Sequence, residues 1–437
     1  MTRIYNYFKR IFPKDLNSFK SFKVFIYLIA ALLISIPLNY AIGSVISILF
    51  IIISFATIQK VNFTFNKALA LPIIFYCIMI ASLLWTRDLQ LTIAGLQKEI
   101  LFLFIPVAFL FKPKISKDGV TKIISLFSYA MVFYALYYFI KAIIKYIESK
   151  NIEVFFYHNL VTLDLNAIYV SVFASFALFY FISIKNKKLI EQLATAVLLV
   201  LVFLLSSKSV IFIDVLLIIF YYTFFSSTPK TVRFLTVITF MCFLLFSLIF
   251  VKQIRERFLI EYETAFVDNT INKNIESNNQ KVYNVSLKQA WNNQKFQHNN
   301  FFPGTALRIY QIRIFKEMLY EENILFTGLG LETSQQKIRD KAIEHNLFPA
   351  YGDFNFHNQY VQTFAELGLF GFLTLIAMLY CNIKNAWDTK NFIHIVFAII
   401  MIILFLTESF FCRQRGIIFF ITVYCMFNEN NNIKKKI

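Results

Sequence analysis

Apolar residues run through this chain in long blocks separated by short polar segments, and the blocks have the length of membrane-crossing helices. A spanning helix needs about 20 predominantly apolar residues. By that measure the pattern predicts twelve spans, near 22–38, 41–58, 68–86, 92–111, 122–144, 166–184, 189–206, 209–226, 233–251, 359–381, 391–408 and 414–428. The first two blocks are nearly continuous, as are the two covering 189–226. One connection differs from the rest: residues 252–358 form a long polar segment between the ninth and tenth blocks. The predicted fold is an all-α polytopic membrane protein with one large helical loop. It divides into an N-terminal bundle (1–251), the loop (252–358), and three final spans with a basic tail (359–437).

Inside the loop, residues 268–300 are rich in Asn, Gln and Lys and are expected to be loosely ordered in isolation. Residues 306–322 have helical periodicity, stopped at Asn323 before Gly328-Leu329-Gly330. The apolar arc of that helix holds Leu307, Ile312, Ile314, Phe315, Met318 and Leu319, and Arg308 falls within it. Arg313, Lys316 and Glu317 fall on the opposite, polar side.

Composition agrees with the pattern. The 437 residues are 58% hydrophobic and only 16% charged, where a soluble chain would be nearer 25% charged. The net charge of +18 does not point to nucleic acid, because the basic residues lie in short clusters between apolar blocks. With both termini cytoplasmic, the inner segments carry Arg3, Lys9, Arg10, Lys14, Lys20 and Lys23, then Lys60 and Lys67, and Lys112, Lys114, Lys117 and Lys122. Lys185, Lys187, Lys188, Lys230, Arg233, Lys384, Lys390 and the tail Lys434, Lys435 and Lys436 complete the inner set. The short outer segments hold only Arg87, Lys145, Lys150, Lys208, Arg413 and Arg415, as the positive-inside rule requires. This topology places 252–358 outside, and because long loops cross regardless of charge, its lysines and arginines do not contradict it. The five cysteines sit in or beside apolar blocks without pairing or metal spacing and read as small hydrophobes. The basic, aromatic N-terminus leading into a span-length block predicts no cleavable signal peptide.

Several charges break the pattern. Lys98 and Glu99 interrupt the fourth block, Lys208 joins the seventh and eighth, Glu408 ends the eleventh, and Arg413 and Arg415 open the twelfth. Charges at membrane depth are costly and by default mark a site or pathway. Lys98 and Glu99 also have a simpler reading as a mutual pair, and Arg413 and Arg415 as headgroup anchors. Arg308 admits two readings: a stem packed on the loop with its head in water, or a guanidinium facing a membrane-side cavity, suited to bidentate pairing with a diphosphate. His357 stands where the polar loop meets the tenth block, so a residue type that titrates near neutral pH sits at a water–lipid boundary. A boundary histidine is often a packing or capping residue. Here Asn358 adjoins it, and Gly368 and Gly371 follow on the same predicted helix, where small residues permit close helix approach. No roles are assigned to His158, His345 or His394. The sequence has no His-Glu-x-x-His, no second metal ligand near His357, no Gly-x-Ser-x-Gly and no phosphate loop ending in Lys.

His357-Asn358, followed after nine residues by Gly368-x-x-Gly371, with a long loop before and the last spans after, resembles the signature of the O-antigen ligase/polymerase superfamily. Arg308 and the downstream Gly328-Leu329-Gly330 are similar to that family's loop arginine and Gly-x-Gly. Ser206-Ser207-Lys208 resembles a segment where the family often has Ser-Arg; lysine here gives up bidentate geometry. Thr407-Glu408-Ser409 through Arg413-Gln414-Arg415-Gly416 resembles relatives of the Bacteroidetes type. The resemblance covers the topology of the whole chain and is residue-specific mainly over 306–371 and 407–416.

The resemblance implies a glycosyltransferase of the bacterial inner membrane whose active site faces the periplasm. It would move a glycan from undecaprenyl diphosphate to an acceptor hydroxyl, without metal, nucleotide or other cofactor, because the diphosphate-linked donor is already activated. It further implies His357 as general base and Arg308, helped by Lys208 and Arg313, as stabiliser of the leaving diphosphate, with Asn358, Glu408, Arg413 and Arg415 in the substrate cavity. The short outer segment 145–165 favours the ligase layout, with lipid A–core as acceptor, over a polymerase. Protein O-glycosylating relatives share the signature. A transporter lined by Lys98, Glu99, Lys208 and Glu408 is the rival of another class, but related halves of the kind transporters show are not found. A structural scaffold would leave His357 and Arg308 unexplained.

Overall fold

The computed structural model describes residues 22–56, 63, 65–112, 114–162, 165–272 and 281–429. Arg3, Lys9, Arg10, Lys14, Lys20, Lys60 and the tail Lys434–Lys436, which carry part of the orientation signal, lie outside the described residues. The helices are α1 (Phe22–Ser35), α2 (Tyr40–Ala56), α3 (Lys67–Ala81), α4 (Leu89–Glu99), α5 (Leu101–Phe111), α6 (Lys117–Ser149), α7 (Ala167–Ser183), α8 (Leu189–Leu205), α9 (Lys208–Phe224) and α10 (Lys230–Phe250). They continue with α11 (Lys252–Ala265), α12 (Leu287–Asn292), α13 (Gly304–Glu321), α14 (Ser334–Glu344), α15 (Gln359–Thr389), α16 (Phe392–Leu404) and α17 (Gln414–Asn428).

Each of the twelve apolar blocks holds helix. Four stretches are long and apolar enough to cross a membrane by length and composition: Lys67–Leu84, Leu89–Phe111, Lys117–Ser149 and Gln359–Thr389. This is a mostly helical membrane protein. The fourth block is two helices, because the α-helix breaks at Ile100 between α4 and α5. The last block, α17, is buried along its whole length. A helix apolar on all sides belongs inside a bundle, and α17 packs on α5 and α1 while α15 packs on α3 and α16. Polar residues mark the starts: Asn66, Ser116, Asn358 and Asn391 each accept backbone N–H groups as helix N-caps.

Two expectations fail at α15 and in the loop. The helix carrying Gly368 and Gly371 is not continuous, because Gly368 has φ 63° and ψ −162°. The atoms nearest a Cβ at Gly368 are the backbone of Phe326 and Thr327, which lie outside any helix. The chain at 325–330 runs into the break: Leu369 N donates to Leu325 O (2.9 Å), Leu329 N to Ala365 O (2.9 Å) and Gly330 N to Glu366 O (3.0 Å). Gly368 and Gly328 thus supply two sides of one backbone junction. A helix break leaves carbonyls and amides without partners, and this segment provides them.

Of the Asn-, Gln- and Lys-rich stretch, 273–280 lies outside the described residues, and the rest carries short elements within the folded loop. β1 (Thr270–Ile271), β2 (Tyr283–Asn284) and β3 (Asn300–Phe301) form a small sheet in that order, antiparallel then parallel. Ser286 and Gln289 close a capping box on α12. A core of its own unites α12, α13 and α14, including Ala290, Phe302, Tyr310, Ile314, Met318 and Ile338. The buried face of α13 also contains Arg313, contrary to its expected place on the polar side. Its Nε lies 2.8 Å from Glu317 Oε1, and its Nη1 donates to Asn293 O at 2.6 Å, at the carbonyl end of α12. Lys341 of α14 lies 3.4 Å from the same Glu317 and 2.6 Å from Glu321. Burial alone would depress Lys341, but the Glu321 and Glu344 carboxylates hold its ammonium above the ordinary lysine range. Arg313 is thus a tie between loop helices. Removing one partner of a buried pair leaves an uncompensated charge, so Arg313→Ala is expected to destabilise the protein by about 3 kcal/mol. A lower midpoint in thermal unfolding is the expected result.

The loop is fastened to the bundle at its second half. Trp85 Nε1 donates to Thr327 O (2.8 Å) and Thr92 Oγ1 to Leu331 O (3.0 Å). Arg87 pairs with Glu322, which also receives Lys337. Bonds from Arg87 and Lys337 hold the Glu322 carboxyl down at about 2.

Candidate active site

Residues 405–411, between α16 and α17, form a short turn anchored by phenylalanines on both sides of Glu408. Phe405, Phe410 and Phe411 are buried; Phe411 packs 5.0 Å from Phe102 and from Phe420, and Phe410 stacks on Tyr169 at 4.7 Å. Polar bonds stitch this turn to the start of α15. Gln359 N donates to Phe405 O (2.8 Å), Phe411 N to Gln359 Oε1 (2.7 Å), and Asn358 N to Ser409 Oγ (3.1 Å). Gln362 Oε1 receives Phe356 N (3.3 Å) and Ser409 Oγ (3.4 Å). These bonds grip the neighbours of His357 and of Glu408, and so set the two side chains against each other.

The Glu408 carboxylate, 5% exposed, stands between two predicted site residues. Its Oε1 is 3.2 Å from Arg308 Nη2, and its Oε2 is 3.7 Å from His357 Nδ1. Arg308 is fixed further by Nε donating to Thr407 O (3.0 Å) and Nη1 to Gly304 O (3.1 Å). Its guanidinium is thereby directed at the turn that carries Thr407 and Glu408. His357 has φ 45°, a left-handed backbone that costs a residue with a side chain about 1–3 kcal/mol. Its amide donates to Asn355 Oδ1 (2.9 Å), which helps keep that conformation. The separation from Glu408 is an ion-pair distance, longer than a hydrogen bond.

Lys208, at the start of α9, joins from the other side. Its Nζ is 2.7 Å from Glu261 Oε1 on α11, and Glu261 Oε2 accepts Thr305 N at 3.0 Å in the first turn of α13. A Cβ on Gly304 would lie 3.0 Å from Glu261 Oε1 and 3.2 Å from Arg308 Nη1, so the two charged heads flank one point. Burial pushes the Glu261 carboxyl up, but Lys208 and Thr305 outweigh it and bring it below the usual range. His158 borders the same region: burial, then the Arg257 charge, lower its pKa, while Glu408 acts in the opposite direction. The Arg257 guanidinium lies 3.4 Å over the Tyr157 ring.

Other predicted site residues are placed elsewhere. The Asn358 side chain is spent on capping: Oδ1 accepts Val361 N (3.1 Å) and Nδ2 donates to Leu406 O (3.2 Å). It positions the turn rather than offering a free group to substrate. Arg313 is committed inside the loop core. Arg415 is buried beside the α1–α2 turn, donating to Leu38 O at 2.7 Å with its guanidinium 3.8 Å over the Tyr40 ring. Arg413 is exposed at the start of α17. Lys98 pairs with Glu332, not with Glu99 as anticipated, and donates to Cys412 O at 3.4 Å. Lys98, Lys208 and Glu408 therefore belong to three separate ion pairs rather than to one path. Glu261 and Gln362 escaped the sequence reading, and Ser409 entered it only as part of the resemblance at 407–416; the polar interruption of an apolar helix at Gln362 and Glu366 was the signal for that part of the site.

Residues 193–376 match the family model described as O-Antigen ligase. The matched stretch contains Lys208, Glu261, Arg308, both glycines of 328–330, His357, Gly368 and Gly371; Glu408 lies beyond it. A search of curated proteins found no match. Together with the apolar helices, the match over 193–376 supports the O-antigen ligase superfamily and a bacterial membrane protein of O-antigen ligase/polymerase-type glycosyl transfer.

Proposed function

We propose that the chain transfers a glycan from an undecaprenyl-diphosphate-linked donor to a hydroxyl of lipid A–core at the periplasmic face of the inner membrane. In this reading twelve spans leave both termini in the cytoplasm and 252–358 in the periplasm, as the charge distribution requires. The observation that carries the proposal is the Glu408 carboxylate lying between Arg308 and His357.

The roles follow from the geometry. Nδ1 of His357 faces Glu408, which leaves Nε2 for the acceptor hydroxyl. His357 takes the hydroxyl proton as the acceptor oxygen bonds to the anomeric carbon. The bond from that carbon to the diphosphate breaks, and the diphosphate leaves with the electron pair. Glu408 stabilises the protonated imidazole. Arg308 and Lys208 offer two cations to the leaving group, stabilising charge as it develops. No nucleotide is consumed, since the donor's own diphosphate is the leaving group.

Glu408→Gln keeps the shape and removes the charge, so His357 stays in place while its protonated form loses support. Transfer is expected to fall about 10–100-fold, the order of losing one opposite charge about 4 Å from the charge that develops on the imidazole. Lipopolysaccharide gels of a deletion strain complemented with each variant provide the readout. The wild type should restore long-chain lipopolysaccharide, and Glu408→Gln should leave bare core with polymerised lipid-linked glycan. A core carrying a single repeat would reassign the chain to polymerisation.

A further inference from the structure

We propose that the ring of Phe354 is the platform on which the sugar carrying the acceptor hydroxyl stacks, so that the acceptor is a saccharide. The inference rests on the glycan-transfer reading of His357 and names the partner of that residue. Phe354 is 39% exposed, and its ring centre lies 5.8 Å from that of His357, tilted by 50°. Single exposed apolar side chains are ordinary. This one is held beside the candidate base by a support of its own. The 3₁₀ turn Pro349–Asp353 precedes it, and Gln335 Nε2 of α14 donates to Gly352 O (2.6 Å) and Phe354 O (3.3 Å). Tyr351 backs the Phe354 ring at 5.9 Å, and its hydroxyl accepts Phe302 N at 3.0 Å, which ties the ring to the loop core. Phe348, likewise exposed, faces His298 instead.

The chemistry of the exposed ring selects the ligand. An aromatic face is apolar and carries partial negative charge. A pyranose has a matching face of C–H groups, with its hydroxyls directed around the rim. Stacked carbon atoms sit about 3.5–4.0 Å apart. With the imidazole centre 5.8 Å from the phenyl centre, a hydroxyl at the sugar's rim comes within hydrogen-bond reach of His357. A serine or threonine of a peptide has no such face and would leave the ring in water. The order of the groups assigns the ring to the acceptor rather than to the donor. Glu408 separates Arg308 from His357, and Phe354 adjoins His357. The diphosphate belongs with Arg308, and the sugar whose hydroxyl proton His357 takes belongs beside Phe354. The ring acts by binding alone, so it lowers the acceptor KM and leaves kcat unaltered.

Initial rates of the purified full-length protein test this, with undecaprenyl-diphosphate-linked glycan as donor and lipid A–core as acceptor, each varied at a saturating level of the other. Phe354→Ala should raise the acceptor KM about tenfold, the effect of losing the apolar surface that one exposed ring offers to the sugar. The donor KM and kcat should stay near wild type. Phe354→Trp should restore the acceptor KM, whereas Phe354→Leu, apolar but without a flat ring, should stay close to alanine. A wild-type acceptor KM in Phe354→Ala or in Phe354→Leu overturns the platform, as does a rise confined to the donor KM. Binding of delipidated core oligosaccharide in the absence of donor, followed by isothermal titration calorimetry, separates this inference from the transfer reading. Binding should weaken in Phe354→Ala by the same factor as the KM rises. If the wild type binds the oligosaccharide through the ring yet transfers nothing, the transfer reading falls and the sugar platform stands. If it transfers while Phe354→Ala binds equally well, the platform falls alone. Thermal unfolding establishes that each variant is folded; if Phe354→Ala is not, Phe354→Leu decides.

Discussion

Replacing His357 with alanine is expected to lower glycan transfer by about 10²–10⁴-fold, the usual contribution of a positioned general base. Arg308→Ala is expected to cost about 10²–10³-fold, comparable to removing one stabilising donor from a site of developing negative charge. Both variants should insert and fold, because neither side chain belongs to a hydrophobic core: His357 is half-buried at the lip of the turn, and Arg308 reaches out of α13 to Thr407 and Glu408. Lipid-linked glycan should accumulate in cells carrying either variant. Arg308→Lys separates charge from shape. It keeps the cation but loses the fork that bonds Thr407 O, Gly304 O and Glu408 together. Its activity should fall between wild type and alanine. Transfer at the wild-type rate by purified His357→Ala would remove the assigned base, whatever the acceptor.

The double change Arg308→Ala with Glu408→Ala extends this test. Alone, Arg308→Ala takes from the buried Glu408 carboxylate its arginine partner and leaves His357 at 3.7 Å. Part of the loss in the single variant is then the penalty of a stranded charge, and the double variant removes that part.

How much of this the sequence could disclose depends on the range of each interaction. Apolar blocks of span length became helices because periodicity and hydropathy are local properties. The loop arginine, the Gly-x-Gly and the histidine were legible for the same reason, each as a local departure from its surroundings. The partner of Arg308 was not, because Glu408 lies at the far end of another helix and nothing local pairs the two. Arg313 was misplaced by a rule that sorts charged residues outward. Once its guanidinium satisfies Glu317 and the carbonyl of Asn293, burial becomes tolerable, and the helical wheel misleads. Asn358 beside His357 invited a substrate role by proximity, whereas its side chain has the older task of starting a helix.

The break at Gly368 was the largest surprise, and it leads to the second prediction with a large effect. Gly368→Ala is expected to destabilise the protein by about 2–5 kcal/mol: about 1–2 for the left-handed backbone and about 1–3 for overpacking. A Cβ there would sit 2.2 Å from Phe326 O, and backbone cannot rotate away as a side chain does. Gly328→Ala meets the other side of the junction, with its Cβ 2.3 Å from the carbonyl carbon of Glu366. The two substitutions distort one contact, so their costs should be less than additive. Activity should fail with stability, because the junction holds the first turns of α15, and those turns hold His357 against Glu408 through Gln359 and Gln362. Gly43→Ala is the control: its Cβ would meet nothing nearer than Ile418 at 4.0 Å, and stability should be little changed. Thermal unfolding of the three variants, followed alongside transfer at a permissive temperature, tests the coupling. If Gly368→Ala unfolds at the wild-type midpoint, the loop at 325–330 does not enter the helix as described. If it unfolds early yet transfers normally when folded, the junction supports the fold alone and the geometry at His357 is set by the phenylalanine-anchored turn.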